Sequence, residues 1–257
     1  MQAKARVKKI LFRAGVIAAW LLLWQLASLW VDAELLLPAP WRTLQRLWEL
    51  AQTAPFWQAA GLTLLRMVEG CVIGILCGTV LGVLTAASRA LEAFFQPLFT
   101  VVKATPVASF IILALVWLRK DAVPAFAAGL MVVPILWANV NEGIRQTPRE
   151  LREMAQIFRF PRGRQIRDLY LPQTLPYFYA GCSSSIGLAW KAGVAAEVLV
   201  IPLHAIGTQL NNARFYLETA DMFAWTALVI LLSVVLEKLV ARLQQRARLV
   251  GCRPPKP

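Results

Sequence analysis

GCVIGILCGTVLGVLTAAS, residues 70–88, carries no charged side chain and places a glycine at every fourth position: Gly70, Gly74, Gly78 and Gly82. A run of this length comes close to the roughly 20 apolar residues that an α-helix needs to cross a bilayer. Residues four apart share one face of a helix. The four glycines therefore predict a stripe without side chains, against which a second helix packs closely. The repeat leaves open whether that helix belongs to this chain or to a second copy.

The sequence on either side has the same character. The chain of 257 residues is 58% hydrophobic and 16% charged, where a soluble domain would be about a quarter charged. Residues 14–31, 122–141 and 169–190 are also uncharged. Allowing Lys103 within one run and Lys191 within another, six spans are predicted, at 14–31, 64–86, 96–118, 122–142, 177–200 and 221–241. The first span reads as a retained anchor. It is longer than a signal-peptide core, and Trp20, Trp24 and Trp30 stand where a cleavage site would have small residues. The expectation is an all-α membrane protein with a permease domain over 14–241 between a short tail, 1–13, and a basic tail, 242–257.

A net charge of +13 raises the question of nucleic acid. The positions of the charges answer it. With six spans and both termini cytoplasmic, 19 of the 27 basic residues fall in cytoplasmic segments, including seven arginines from Arg145 to Arg167. That is the positive-inside pattern, and it accounts for the basicity without a nucleic-acid partner. Cys71, Cys77 and Cys182 lie in apolar runs and Cys252 lies in the tail, so neither a disulfide framework nor a zinc site is expected. His204, the single histidine, reads as a loop residue.

Residues 32–60 are not lipid-like. Pro38, Pro40 and Pro55 punctuate them, and Leu44, Leu47, Trp48 and Ala51 repeat at helical spacing. They predict a short amphipathic helix at the outer interface, with Trp41, Trp48 and Trp57 at headgroup depth, that anchors the chain or also helps to form a docking surface.

The arginine-rich segment has a pattern of its own. After Pro148, the residues Leu151, Met154, Ala155 and Phe158 fall at i, i+3, i+4 and i+7, one apolar helical face. Pro161 and Gly163 break the helix, and a second short helix is expected over 165–171 before Pro172 and Pro176. An ordered apolar face ringed by charge, outside the membrane, calls for a protein partner.

This segment resembles the cytoplasmic loop of permease subunits of binding-protein-dependent ABC importers, of the form E-A-A-x3-G-x9-I-x-L-P. Glu153-Met154-Ala155 matches its opening, and Leu169-Tyr170-Leu171-Pro172 matches its close at the same spacing. Met154 replaces the middle alanine. Arg159 stands where the family has glycine, with Gly163 four residues later. KATPVASFIILALVWL, 103–118, is similar to the family's third helix, and IGLAWKAGVAAEVL, 186–199, to the fifth helix of its sulfonate, nitrate and taurine branch. The resemblance implies a bundle of the type I importer permease kind in a bacterial inner membrane. It implies that Leu151, Glu153, Met154, Ala155, Phe158, Arg159 and Gly163 form a coupling helix and its turn, seated on a separate cytoplasmic ATPase. It further implies a second permease copy and an extracytoplasmic substrate-binding protein. The chain has no GxxxxGK[ST] phosphate loop, so the resemblance places ATP and magnesium on the partner, with no cofactor on this chain. The alternative, a transporter driven by an ion gradient, predicts paired acids near the midplane and inverted repeats, and the sequence displays neither.

Charges within the spans are costly toward lipid. Lys191 and Glu197 are expected to face the bundle interior on different sides of their helix, as candidates for the substrate path. Arg66 and Glu69, three apart, predict a local ion pair. Lys103 lies near enough to the inner end to snorkel.

Overall fold

Proline places most of the helix starts. Its ring fixes φ near −65°, and its missing N–H costs nothing in a first turn, where that group has no intrahelical partner. A computed structural model describes residues 2–251, with the side chains of 11, 12, 14–242 and 244. The side chains of Lys4, Arg6, Lys8, Lys9, Arg13, Arg246 and Arg248, and the whole of Arg253 and Lys256, on which the charge reading also drew, lie outside the described residues, as does Cys252 of the cysteine reading. The elements are α1 (Gln2–Val31), α2 (Pro40–Ala51), α3 (Ala54–Ala87), α4 (Arg89–Ala104), α5 (Val107–Ala114), α6 (Val123–Arg145), α7 (Arg149–Ile157), α8 (Arg162–Gln165), a π-helical turn (Ile166–Tyr170), α9 (Leu171–Val200), α10 (Ile206–Phe215) and α11 (Thr219–Gly251). Helices α2, α3, α6 and α9 each carry a proline in their first two positions. Helices α5, α7 and α8 follow directly on Pro106, Pro148 and Pro161. Among the described residues there is no strand.

Four helices, α1, α3, α6 and α11, are long and apolar enough to cross a bilayer. The third expected span, a single helix over 96–118, is not observed. Helices α4 and α5 meet at a bend of 102°. The cause is local: a proline pushes the residue before it out of the α region, and Thr105, before Pro106, is extended at φ −86°, ψ 134°. The bent pair counts as a fifth span if it crosses as a unit. Helix α9 holds the fifth expected segment but starts earlier and does not reach the apolarity of the other spans, so among the described residues four or five of the six expected spans are found. The second short helix was expected to end at Pro172. Instead α8 and the π turn run into α9 without a stop, with Pro172 in the first turn of α9 and Pro176 inside it.

The glycine stripe finds its partner within the chain. Gly70, Gly74, Gly78 and Gly82 are all buried on α3, and α6 lies against them. A Cβ on Gly74 would stand 2.7 Å from Cβ of Val132, one on Gly78 2.7 Å from Cβ of Leu136, and one on Gly82 2.8 Å from Cβ of Val140. At Gly70 it would strike the carbonyl oxygen of Ala125. Helix α9 packs against α6 and also touches α3. Met67, Ala128, Val132, Leu136, Ala189 and Trp190 fill the centre of this three-helix core.

At one end of the bundle, called here the far end, α2 covers a second cluster of Phe56, Ala59, Ala60, Ile206, Trp225 and Leu228. The expected apolar face of α2 is divided. Leu47 and Ala51 turn inward onto this cluster, while Leu44 and Trp48 are exposed together with Trp41. Arg46 clamps α2 to the start of α11, donating Nη2–H to Asp221 Oδ2 at 3.1 Å. Arg46 also donates to Glu49 and, with Gln45, holds that carboxyl below the usual carboxylate range. Helix α1 touches the rest mainly at this end, where Trp24 Nε1–H donates to Pro38 O and Ser28 Oγ–H to Leu37 O.

Candidate functional site

The opposite end of the bundle carries the elbow formed by α7, α8 and the π turn. Helix α7 is nine residues long and ends in a left-handed turn. Arg159 has φ +49°. Its N–H donates to Gln156 O at 3.0 Å, and the Phe160 N–H reaches back to Ala155 O at 2.9 Å. This pair of bonds is a Schellman motif, whose left-handed position most often holds glycine because a Cβ there is strained. Arg159, at the motif position where the resembled family has glycine, therefore holds a conformation that glycine adopts without strain. Gly163, expected to break the helix, lies within α8 with nothing near the Cβ it lacks. The break belongs to 159–161.

The four residues read as one apolar face do not all point outward. Ala155 is buried at 2% exposure and Leu151 is half-buried. The outward apolar surface is Met154, Ile157 and Phe158, at 38%, 77% and 69%. Charged groups surround it. Arg149 Nε donates to Glu153 Oε1 at 2.7 Å, and Arg164 pairs with Asp168 at 3.3 Å. The Arg164 guanidinium also stacks 4.4 Å over the Phe160 ring, and Gln165 Nε2–H donates to Phe160 O at 2.8 Å. The turn is therefore fixed by its own side chains. Next to it, Arg145 at the end of α6 pairs with Glu92 at the start of α4. Deeper, Thr85 Oγ1 accepts from Trp137 Nε1–H at 2.8 Å and from Asn141 Nδ2–H at 3.0 Å, joining α3 to α6.

At the far end, the expected pairing of Arg66 with Glu69 does not form. Arg66 instead donates Nη2–H to Asp121 Oδ1 at 3.0 Å and to Leu203 O at 2.9 Å, and Nη1–H to Glu197 Oε1 at 3.4 Å. Glu197 is fully buried and also accepts from Thr63 Oγ1–H at 2.9 Å and from the Gly207 N–H at 3.2 Å. Two of the donors come from α3 and one from α10, so this one carboxylate of α9 fastens α3, α9 and the start of α10 together. Two left-handed residues, Ile201 at φ +52° and the loop residue His204 at φ +50°, turn the chain between α9 and α10.

Lys191 departs from its expectation. It faces away from the three-helix core, on an exposed stripe of α9 with Ser184, Leu188, Ala195 and Leu199. Glu197 faces the opposite, buried side, so the structure does not bring the two together. Lys103 is exposed, and its Nζ lies 5.8 Å from the Trp137 ring centroid.

Residues 74–249 match the family described as "Binding-protein-dependent transport system inner membrane component". The chain belongs to this family. It is a multi-pass inner-membrane permease subunit of an ABC importer and not the ATPase of one. The permease is 28% identical over 191 residues to the bicarbonate transport system permease protein CmpB of Synechococcus elongatus, covering 74% of this chain and 68% of the relative. It is 24% identical over 245 residues to the "Putative aliphatic sulfonates transport permease protein SsuC" of Bacillus subtilis, covering 93% and 86%. Both sit in the branch its fifth-helix motif resembles. Its fold is also similar to a solved structure titled "Crystal structure of an amino acid ABC transporter with histidines", with a TM-score of 0.58 and 16% identity over 72% of this chain and 90% of that one.

Three contributors to the permease's two ends were missed by sequence reasoning: Ile157 in the elbow, and Thr63 and Asp121 around Arg66 and Glu197. A signal existed only for Ile157, an apolar residue beside the assigned face.

Proposed function

We propose that the permease forms half of a translocation path for a small oxyanion, in an importer powered by a separate ATPase and supplied by an external binding protein. Met154, Ile157 and Phe158 carry the reading. A protein of this size gains nothing from holding three large apolar side chains on an ordered helix outside its bundle unless something covers them. A groove on the ATPase is the occupant: the apolar trio supplies contact, and Glu153 with the surrounding arginines supplies orientation. ATP and magnesium stay on that partner. Closure of two ATPase copies would draw two elbows together. Because α8, the π turn and α9 are continuous, the movement passes straight to α9 and tilts the bundle between two packed states. This assigns the elbow end and both termini to the cytoplasm, in keeping with the positive-inside pattern.

The exposed stripe of α9 supports a homodimer. A lysine toward lipid costs about 3 kcal/mol, so the stripe faces a second copy across a wet path, where two Lys191 side chains attract an anion. Relatives named for bicarbonate and for aliphatic sulfonates, both oxyanions, agree with that charge. The test is co-purification of the ATPase with Ile157→Asp and Phe158→Ala permeases. Loss of the ATPase from otherwise well-inserted permease is expected. Wild-type recovery with both variants would contradict the docking role.

A further inference from the structure

A cavity of about 630 Å³ lies in the groove between α3 and α6 at the far end. Its mouth is charged, with Glu69 from α3 and Arg119 and Asp121 from the loop before α6. Below the mouth it is apolar. Ala122, which caps α6, and Phe126, Leu130 and Val133 within it follow one another down one face, and Ile73 lines the groove from α3. At 1.5 Å per residue, the stretch from Ala122 to Val133 is about 16 Å long. That is close to half of the roughly 30 Å hydrocarbon core of a bilayer, the depth of a single leaflet. Ile73 and Phe126 are themselves substantially exposed, so the groove opens sideways.

We infer that this groove binds one zwitterionic phospholipid whose headgroup carries a primary ammonium. The length suits one acyl chain lying along α6. The mouth suits the headgroup: Arg119 and Glu69, which make no ion pair among the described residues, take the phosphate and the ammonium. Asp121 is already held by Arg66 at 3.0 Å, so the lipid headgroup sits one residue from the Arg66–Glu197 junction and braces it. With Asp121 held by Arg66, the mouth offers one free acid, Glu69, and one free base, Arg119. That pairing matches a zwitterion, whereas an anionic headgroup or a small oxyanion leaves Glu69 without a partner.

The test is native mass spectrometry of the purified, delipidated full chain in detergent, with added dioleoyl phosphatidylethanolamine, phosphatidylcholine or phosphatidylglycerol. One phosphatidylethanolamine per chain is expected, bound about tenfold more tightly than phosphatidylglycerol, as one satisfied charge contact provides. Glu69→Gln should erase the preference for ethanolamine over choline, and Arg119→Glu should weaken both zwitterionic lipids. Leu130→Trp, which fills the groove, should abolish binding. If that variant elutes as aggregate, the two exposed mouth variants carry the test alone. Equal binding of phosphatidylglycerol, unchanged binding in both mouth variants, or displacement of the lipid by bicarbonate or ethanesulfonate would overturn the assignment.

Discussion

Arg66 on α3 reaches Glu197 on α9 across 131 positions of sequence, Nη1 to Oε1 at 3.4 Å. Glu197 is fully buried and Arg66 nearly so. Removing one partner of such a pair strands the other, which costs about 3–5 kcal/mol, whereas removing both costs much less. Arg66→Met leaves Glu197 with only Thr63 and the Gly207 N–H. Glu197→Gln leaves Arg66 still paired with Asp121. Thermal unfolding in detergent should therefore fall further for Arg66→Met than for Glu197→Gln, and the double variant should lie above the sum of the two losses. Simple additivity would show that the contact is incidental.

The glycines of α3 differ in what they face. Gly78→Ala drives a Cβ into Leu136 and should destabilise the permease by about 1–3 kcal/mol through overpacking. Gly61 is on the same helix with nothing within 4 Å of an added Cβ, so Gly61→Ala should stabilise by about 0.5–1 kcal/mol. Unfolding midpoints of the two variants check the contrast. Equal effects would mean that α3 and α6 do not approach as described.

Arg159 pays for its left-handed backbone. Arg159→Gly should relieve about 1 kcal/mol of strain, and Arg159→Val should add to it. The readout is hydrogen exchange at the Phe160 amide, whose bond to Ala155 O closes the turn. Slower exchange is expected in the glycine variant and faster exchange in the valine variant. The reverse order would contradict the Schellman assignment.

On the substrate side, Lys191→Met should reduce uptake of a small oxyanion by about tenfold through lost electrostatic attraction, and Lys191→Arg should retain most of it. ATPase co-purification should be unchanged in both. Full uptake by the methionine variant would make Lys191 a structural residue.

What could be read from the sequence was local and periodic. The glycine spacing announced a close helix contact, but the partner α6 could not be named, because a stripe records only one of its two surfaces. The elbow was legible as a helix and a break. Its outward face was displaced toward Ile157, because burial of Ala155 is set by the rest of the fold and not by helical phase. Pro106 was visible, yet continuous hydropathy over 96–118 hid the bend that it causes. Arg66 was assigned to Glu69 because three residues is the distance at which sequence suggests a pair. Its actual partners come from α9 and two loops, and nothing in the order of residues brings them near.

Crosslinking in membranes shows whether a separate ATPase grips the elbow. Ile157→Cys and Phe158→Cys, each in a permease stripped of its native cysteines, are oxidised in membranes that contain the ATPase with single cysteines along its groove. A crosslinked permease–ATPase band is expected from both positions, with an intensity that changes when ATP is added, and none is expected from Trp41→Cys at the far end. Active uptake with no crosslink from either elbow position to any site on the ATPase would contradict that grip.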